Sequence, residues 1–243
     1  SDVRHIRNVL RLSRGVRIGL LDGRGNSSMA QIDSIKPDSV TVEVLSCIHA
    51  PDGPGLELII AQAYLKDKKM DDLVRQMTEL GTTVWMPFCA ARSVSRPDNR
   101  RLHVRLERWH KIARESLKQC RRGRAMYIEP ADSFDDVLLR AKLCDLRIMF
   151  WENEARPLDF NEMTPRGIEI KQIIAVLGPE GGFSPTEVDM AKANGFSTVG
   201  LGPRTLRTET ATVAATALLQ YLYGDMGKKT LTNHGAFNRR DHS

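Results

Sequence analysis

The sequence predicts an α/β protein: a parallel sheet covered by helices on both faces, preceded by a small all-β module. Two observations carry this. From Glu57 onward, short apolar runs alternate with amphipathic stretches of helical period, the pattern of strands buried on both faces. Before residue 50 the period is two and the breaks are Asp-Gly and Pro-Asp, which form turns. Between these regions HAPDGPGL (49–56), rich in Pro and Gly, reads as a linker. The expected units are 1–50, 56–227 and a tail, 228–243, with little to bury. A chain of 243 residues, 41% hydrophobic, can give each of the two larger units a core.

In the first unit the expected strands are VRIGLL (16–21), SSMAQIDSI (27–35) and VTVEVL (40–45). The second opens with the strand ELIIAQAY (57–64) and the helix MDDLVRQMTEL (70–80), which gathers Met70, Leu73, Val74, Met77 and Leu80 on one face and closes at Gly81. TTVWMPF (82–88) is the next strand. LHVRLERWHKIARESLKQC (102–120) is a helix with Leu106, Trp109, Ala113 and Leu117 opposite a basic face. The strand AMYIE (125–129), the helix SFDDVLLRA (133–141) capped by Ser133, and the strand DLRIMFW (145–151) follow. QIIAVL (172–177) leads to a helix start marked by Ser184-Pro185-Thr186-Glu187, a capping box with Pro at the first helical position. STVGLG (197–202) leads to a long helix ending at Tyr223, with Thr208 as expected cap and Val213, Ala217, Leu218 and Tyr221 as expected inner face.

Net charge is +6, but its distribution says more. Between Arg92 and Arg124 there are twelve Lys/Arg against three acids, and the opening stretch adds Arg4, Arg7, Arg11, Arg14 and Arg17. Such density points to phosphate-backbone contacts, the plainer alternative being a solvated basic helix face. Cys47, Cys89, Cys120 and Cys144 form no Cys-x-x-Cys pair and the six histidines no i, i+4 pair, so neither a metal nor a disulfide framework is expected. No stretch approaches the roughly 20 uninterrupted apolar residues of a membrane span, and the start lacks a secretory signal's apolar run. A cytoplasmic setting is expected.

Two turns stand out, LGPEGGFSPTE (177–187) and LGPRTLRTETA (201–211). Three glycines within 178–182 exceed what a tight turn needs, and absent side chains let a ligand lie against the backbone. Neither a Walker A loop nor a dinucleotide fingerprint is present. Two adjacent strand ends with such loops make a crevice at the carboxyl edge of the sheet, where ligands of open α/β folds sit.

Together with HIRNVLR (5–11), KMDDLVRQMTELGTTVWMPF (69–88) and KIARESLKQC (111–120), these turns resemble the RsmE family, bacterial 16S ribosomal RNA methyltransferases acting on N3 of a uridine. The resemblance implies a SPOUT-type α/β domain that binds S-adenosylmethionine, a C-terminal trefoil knot, a preceding PUA-like β-barrel and a homodimer. Composition and spacing imply nothing of the knot, which is rare among folds. By the same resemblance the cofactor lies against Leu177, Gly178, Pro179, Glu180, Gly181 and Gly182, and against Leu201, Gly202, Leu206, Arg207, Thr208, Glu209, Thr210 and Ala211. Only SDVR stands where the family's leading strand precedes HIRNVLR, so the barrel is expected to lack that strand. CRRGR (120–124) carries more arginine than the family pattern.

Uracil N3 becomes nucleophilic only when its proton leaves, which calls for a base or for stabilisation of the anion. Glu180 and Glu209 are the acids in the two loops, and Arg204 and Arg207 the cations. These four are the candidate catalytic residues, each glutamate having the alternative role of bracing a helix N-terminus. RNA is expected to meet Arg7, Arg11, Arg92, Arg114, Lys118 and Arg121. Two rival readings stay open: a SPOUT enzyme acting on transfer RNA or a ribose hydroxyl, and a non-catalytic RNA-binding ribosome assembly factor.

Overall fold

A computed structural model of the chain describes residues 2–22, 25–49, 55–66, 68–93, 98–120, 122–164 and 169–227. The expected tail at 228–243, linker residues 50–54 and the RNA-binding candidate Arg121 lie outside the described residues.

A short helical turn, α1 (Asp2–Arg4), and a π-helical turn (His5–Val9) lead into β1 (Arg17–Leu21), β2 (Asn26–Ile35) and β3 (Val40–His49). These form an antiparallel sheet in the order β1-β2-β3. β3 runs past the expected VTVEVL, so His49 belongs to a strand rather than to a linker. The sheet buries little, with Ala30 and Ile32 inside while Val44 and Leu45 stand exposed. Gly25 N–H donates to the Gly123 carbonyl at 2.9 Å, tying this unit to the second.

The second unit is a six-stranded parallel sheet ordered β6-β5-β4-β8-β7-β9, built from β4 (Glu57–Ala63), β5 (Val84–Phe88), β6 (Tyr127–Ile128), β7 (Leu146–Phe150), β8 (Gln172–Leu177) and β9 (Ser197–Val199). Successive residues of the central strand face opposite ways, which is why its run is apolar throughout. Leu58 and Ile60 meet α2 (Lys69–Glu79), α3 (Asn99–Cys120) and α7 (Thr208–Leu222), whereas Ile59 and Ala61 meet α4 (Phe134–Ala141) and α6 (Pro185–Ala193). A further short helix, α5 (Phe160–Met163), had no expected counterpart. The capping boxes at Ser133 and Ser184 are both formed, the second with Pro185 opening α6.

α7 departs from expectation at two points. Its N-cap is Arg207, without a side-chain cap bond, and Thr208 is already helical. Its buried face is Thr212, Ala215, Thr216, Leu219 and Gln220, while Leu218 and Tyr221 point outward at 42% and 64% exposure. The reason is local: Thr216 Oγ1 donates to the Thr212 carbonyl at 2.8 Å, so its hydroxyl is satisfied within the helix and the residue packs like a small hydrophobe. Small inner residues let α7 settle against α2, where Thr216 Oγ1 lies 3.2 Å from Met77 Sδ.

Among the described residues no helix is long and apolar enough to cross a membrane. No group of His, Cys, Asp and Glu among them is arranged to hold a metal ion.

Candidate active site

The two glycine turns leave the carboxyl ends of β8 and β9, which are not adjacent as the sequence suggested, because β7 lies between them. Chain order is not sheet order, and β7 therefore adds Phe150, Trp151 and Glu152 to the crevice. The result is a cleft of about 310 Å³ lined by these residues, by Leu177 to Gly182, by Leu201 to Leu206, and by Thr208 and Ala211. Of the residues implied for cofactor contact, Arg207, Glu209 and Thr210 are not in this lining. Helix geometry accounts for it: Thr208 and Ala211, three apart, share the face of α7 that meets the cleft.

The first turn is braced on all sides. A side chain at Gly182, whose φ is +68°, would collide with the Glu152 carboxylate. Cβ atoms at Gly178 and Gly181 would meet Phe183 at 3.1 Å and Arg92 at 3.3 Å. Packing against the protein itself therefore explains these glycines, beside any need to admit a ligand. Arg92, expected to meet RNA, donates from one guanidinium nitrogen to the Gly181 carbonyl at 3.1 Å. Glu187 accepts from Ala91 N–H at 2.8 Å while completing the Ser184 cap.

Two residues that the sequence reading passed over join the turns. Gln62, fully buried in β4, donates to the Gly178 carbonyl at 3.1 Å and has its Oε1 2.6 Å from Thr212 Oγ1 of α7. Lys69, at the start of α2, sets its Nζ 3.1 Å from Glu180 Oε1 and 3.4 Å from Glu209 Oε2. A glutamine inside the otherwise apolar run LIIAQA was the available signal for the first. The second had none, since its partners lie 111 or more residues away. Partial burial opposes ionisation of Glu180, but hydrogen bonds from its own amide, from Lys66 N–H and from Lys69 hold its carboxyl below the usual range. The Glu180 hydrogen bond, ahead of other causes, holds the Lys69 ammonium above its ordinary pKa.

The second turn is bare. Gly202 to Thr205 and Arg207 are exposed, and a Cβ at Gly202, φ +89°, would meet nothing within 4 Å. Arg204 lines the cleft, and among the described residues neither Arg204 nor Arg207 has a side-chain hydrogen bond or ion pair. Glu209 differs, with its Oε2 buried and lacking a hydrogen bond, so that among the described residues its charge is met by Lys69 alone.

The basic stretch divides once folded. Arg122 turns inward and donates to the carbonyls of Thr78, Gly81 and Thr82 at 2.8 to 3.3 Å, ending α2. It is thus a structural residue rather than part of a basic surface. Arg108 pairs with Asp71, which also accepts from Trp109 Nε1. Arg114 and Lys118 stand exposed four apart on α3, and Arg7 and Arg11 are exposed near the start of the chain, Arg11 with a φ of 50°.

Known proteins give this geometry a context. The RNA methyltransferase domain family matches residues 52–220 and the RNA methyltransferase PUA domain family matches 1–45. The ribosomal RNA small subunit methyltransferase E of Bacillus subtilis (strain 168) is 30% identical over 227 residues, covering 91% of this chain and 88% of its own length. Among solved structures, a ribosomal RNA small subunit methyltransferase E from Neisseria gonorrhoeae bound to S-adenosyl methionine superposes with a TM-score of 0.78 at 29% identity, over 93% of this chain and 90% of that one. A methyltransferase from Legionella pneumophila in complex with SAM gives a TM-score of 0.80 at 27% identity, over 92% and 90%. With a parallel α/β domain behind an antiparallel module, both loop motifs on one cleft, and these matches along nearly its whole length, the chain belongs to the ribosomal RNA small subunit methyltransferase E family.

Proposed function

We propose that the chain methylates N3 of a uridine in 16S ribosomal RNA of the small ribosomal subunit, with S-adenosylmethionine as methyl donor. The observation that carries this is the cleft at the carboxyl edge of the sheet, assembled from both family loops. The donor supplies an activated methyl on a sulfonium. Residues present suit such a ligand: the volume falls within the small-molecule range, the lining is rich in backbone groups, and the Trp151 indole N–H in it is buried without a partner among the described residues. Leu177 to Gly182, with Leu201, Gly202, Leu206, Thr208 and Ala211, are assigned to hold the donor.

For the acceptor, the chain must take up the N3 proton and meet charge on the uracil oxygens. Arg204 and Arg207, cations with free guanidinium groups among the described residues, are assigned to the oxygens. Glu209 is assigned to the proton in preference to Glu180, whose Oε1 accepts two hydrogen bonds, from Lys66 N–H and Lys69, whereas Glu209 Oε2 has only the 3.4 Å approach of Lys69 among the described residues. Arg7, Arg11, Arg114 and Lys118 are assigned to the RNA backbone, and the uridine must leave its stack to reach the methyl. A homodimer through the outward Leu218 and Tyr221 of α7, a knot formed as the chain returns from β9 to seat α7 beside α2, and a cytoplasmic setting on the ribosomal subunit belong to the same reading.

The test is calorimetric titration with S-adenosylhomocysteine, followed by methylation of 16S RNA lacking the modification. Micromolar binding is expected, abolished by Ala211→Phe, which fills the cleft without straining the backbone. Methylation is expected at uracil N3; a folded chain without binding or transfer sinks the reading. Arg114→Ala with Lys118→Ala should lower the salt dependence of RNA binding by roughly one unit of slope for each phosphate left unneutralised.

A further inference from the structure

We propose that Lys69 is a positioning residue of the cleft, whose ammonium fixes the two loops relative to each other by pairing with one carboxylate from each. The inference rests on the cleft being the donor site. Glu180 comes from the β8–α6 turn and Glu209 from the first turn of α7, and both of their oxygens lie within 3.5 Å of the one Nζ. Lys69 itself is absent from the cleft lining, so it acts through the two glutamates rather than on a ligand.

Charge makes the tie necessary. Two carboxylates held this close repel unless a cation lies between them. Glu180 has the Lys66 N–H as a second partner, whereas Glu209 Oε2, buried and without a hydrogen bond, has only Lys69 among the described residues. Loss of the ammonium therefore leaves Glu180 anchored and expels Glu209, and with it the N-terminal turn of α7 carrying Thr208 and Ala211 into the cleft. Gln62 cannot substitute for it. Its bonds run beneath, from Gly178 to Thr212, one turn further along α7.

The test compares Lys69→Met, Lys69→Arg and the double variant Lys69→Met/Glu209→Gln in the full chain, Glu209 lying outside the cleft lining. Two readouts are used: S-adenosylhomocysteine affinity by calorimetry, and amide hydrogen exchange over residues 211–213, the first hydrogen-bonded amides of α7, without ligand. Lys69→Met is expected to weaken binding about tenfold, the scale of one charged hydrogen bond, and to speed exchange at 211–213. Lys69→Arg keeps both, and the double variant regains most of the missing affinity because Glu180 stays anchored by Lys66 N–H and no unpaired carboxylate remains on α7. Wild-type exchange in Lys69→Met overturns the proposal whether or not the ligand binds. So does a double variant no better than Lys69→Met. Failure of the wild type to bind S-adenosylhomocysteine, with exchange behaving as expected, removes the donor-site reading and leaves the loop tie standing.

Discussion

The two turns that build the cleft share a Leu-Gly-Pro start and a place at the sheet's carboxyl edge, yet one is locked and the other open. Around 178–182 the neighbours Phe183, Arg92, Glu152, Lys66 and Lys69 all press on or bond to the backbone or to Glu180. Around 202–207 the chain is mostly exposed, and its two arginines have no side-chain partner among the described residues. Preorganisation suits the turn that holds the donor, because every ordered group in it is ordered before binding. Uncommitted cations suit the turn that meets the acceptor, since a guanidinium bound elsewhere cannot respond to charge on a base.

Exchanging a functional group on the open side should have the largest effect. Glu209→Gln is expected to cut single-turnover methylation at saturating donor by roughly 100-fold or more. Intact turnover would remove Glu209 as the base. Arg204→Ala with Arg207→Ala should cost about 100-fold in the same assay, with S-adenosylhomocysteine affinity and thermal stability close to wild type. A large loss of stability there would show that the open loop is not open.

A pair of glycines sharpens the comparison further. Both Gly182 and Gly202 have positive φ, but only Gly182 faces a collision, with Glu152. Gly202→Ala should cost about 1 kcal/mol from backbone strain alone, and Gly182→Ala somewhat more, since the exposed Glu152 carboxylate must also swing aside. Denaturant unfolding decides it, and equal costs would erase the distinction between the loops.

The smallest effect concerns pH. Glu180 has its folded pKa depressed, so its contribution to stability is present above the ordinary carboxylate pKa and is lost as pH falls through the depressed value. The stability gap between wild type and Glu180→Gln is therefore expected at pH 7 and should close on acidification below about 4. A gap that persists in acid would mean that Glu180 acts by packing instead of by charge.

Much of this was legible from the chain. The β4 run is apolar because both of its faces are covered, and the Ser133 and Ser184 boxes close through contacts three residues apart. Of the inner face expected for α7, Val213 packs against the core while Leu218 and Tyr221 point outward, because threonines whose hydroxyls are satisfied by their own helix count as polar on any scale. The basic count between 92 and 124 overstated the exposed surface, since Arg122 serves the end of α2 and Arg108 pairs with Asp71.

Sequence by itself determined the elements, their caps, the β-then-α/β order and the two loops of the cleft, all of which depend on residues near one another in the chain. Family membership was readable for the same reason, through contiguous motifs. Tertiary structure alone decided that β7 separates the loops and adds Trp151 and Glu152, that Gln62 and Lys69 tie the first loop to α7, and that 178–182 is braced while 202–207 is mostly exposed. Those facts rest on contacts between residues from 27 to 150 positions apart. No local period or propensity encodes such pairs; strand order and the burial of charge fix them only once the sheet has formed.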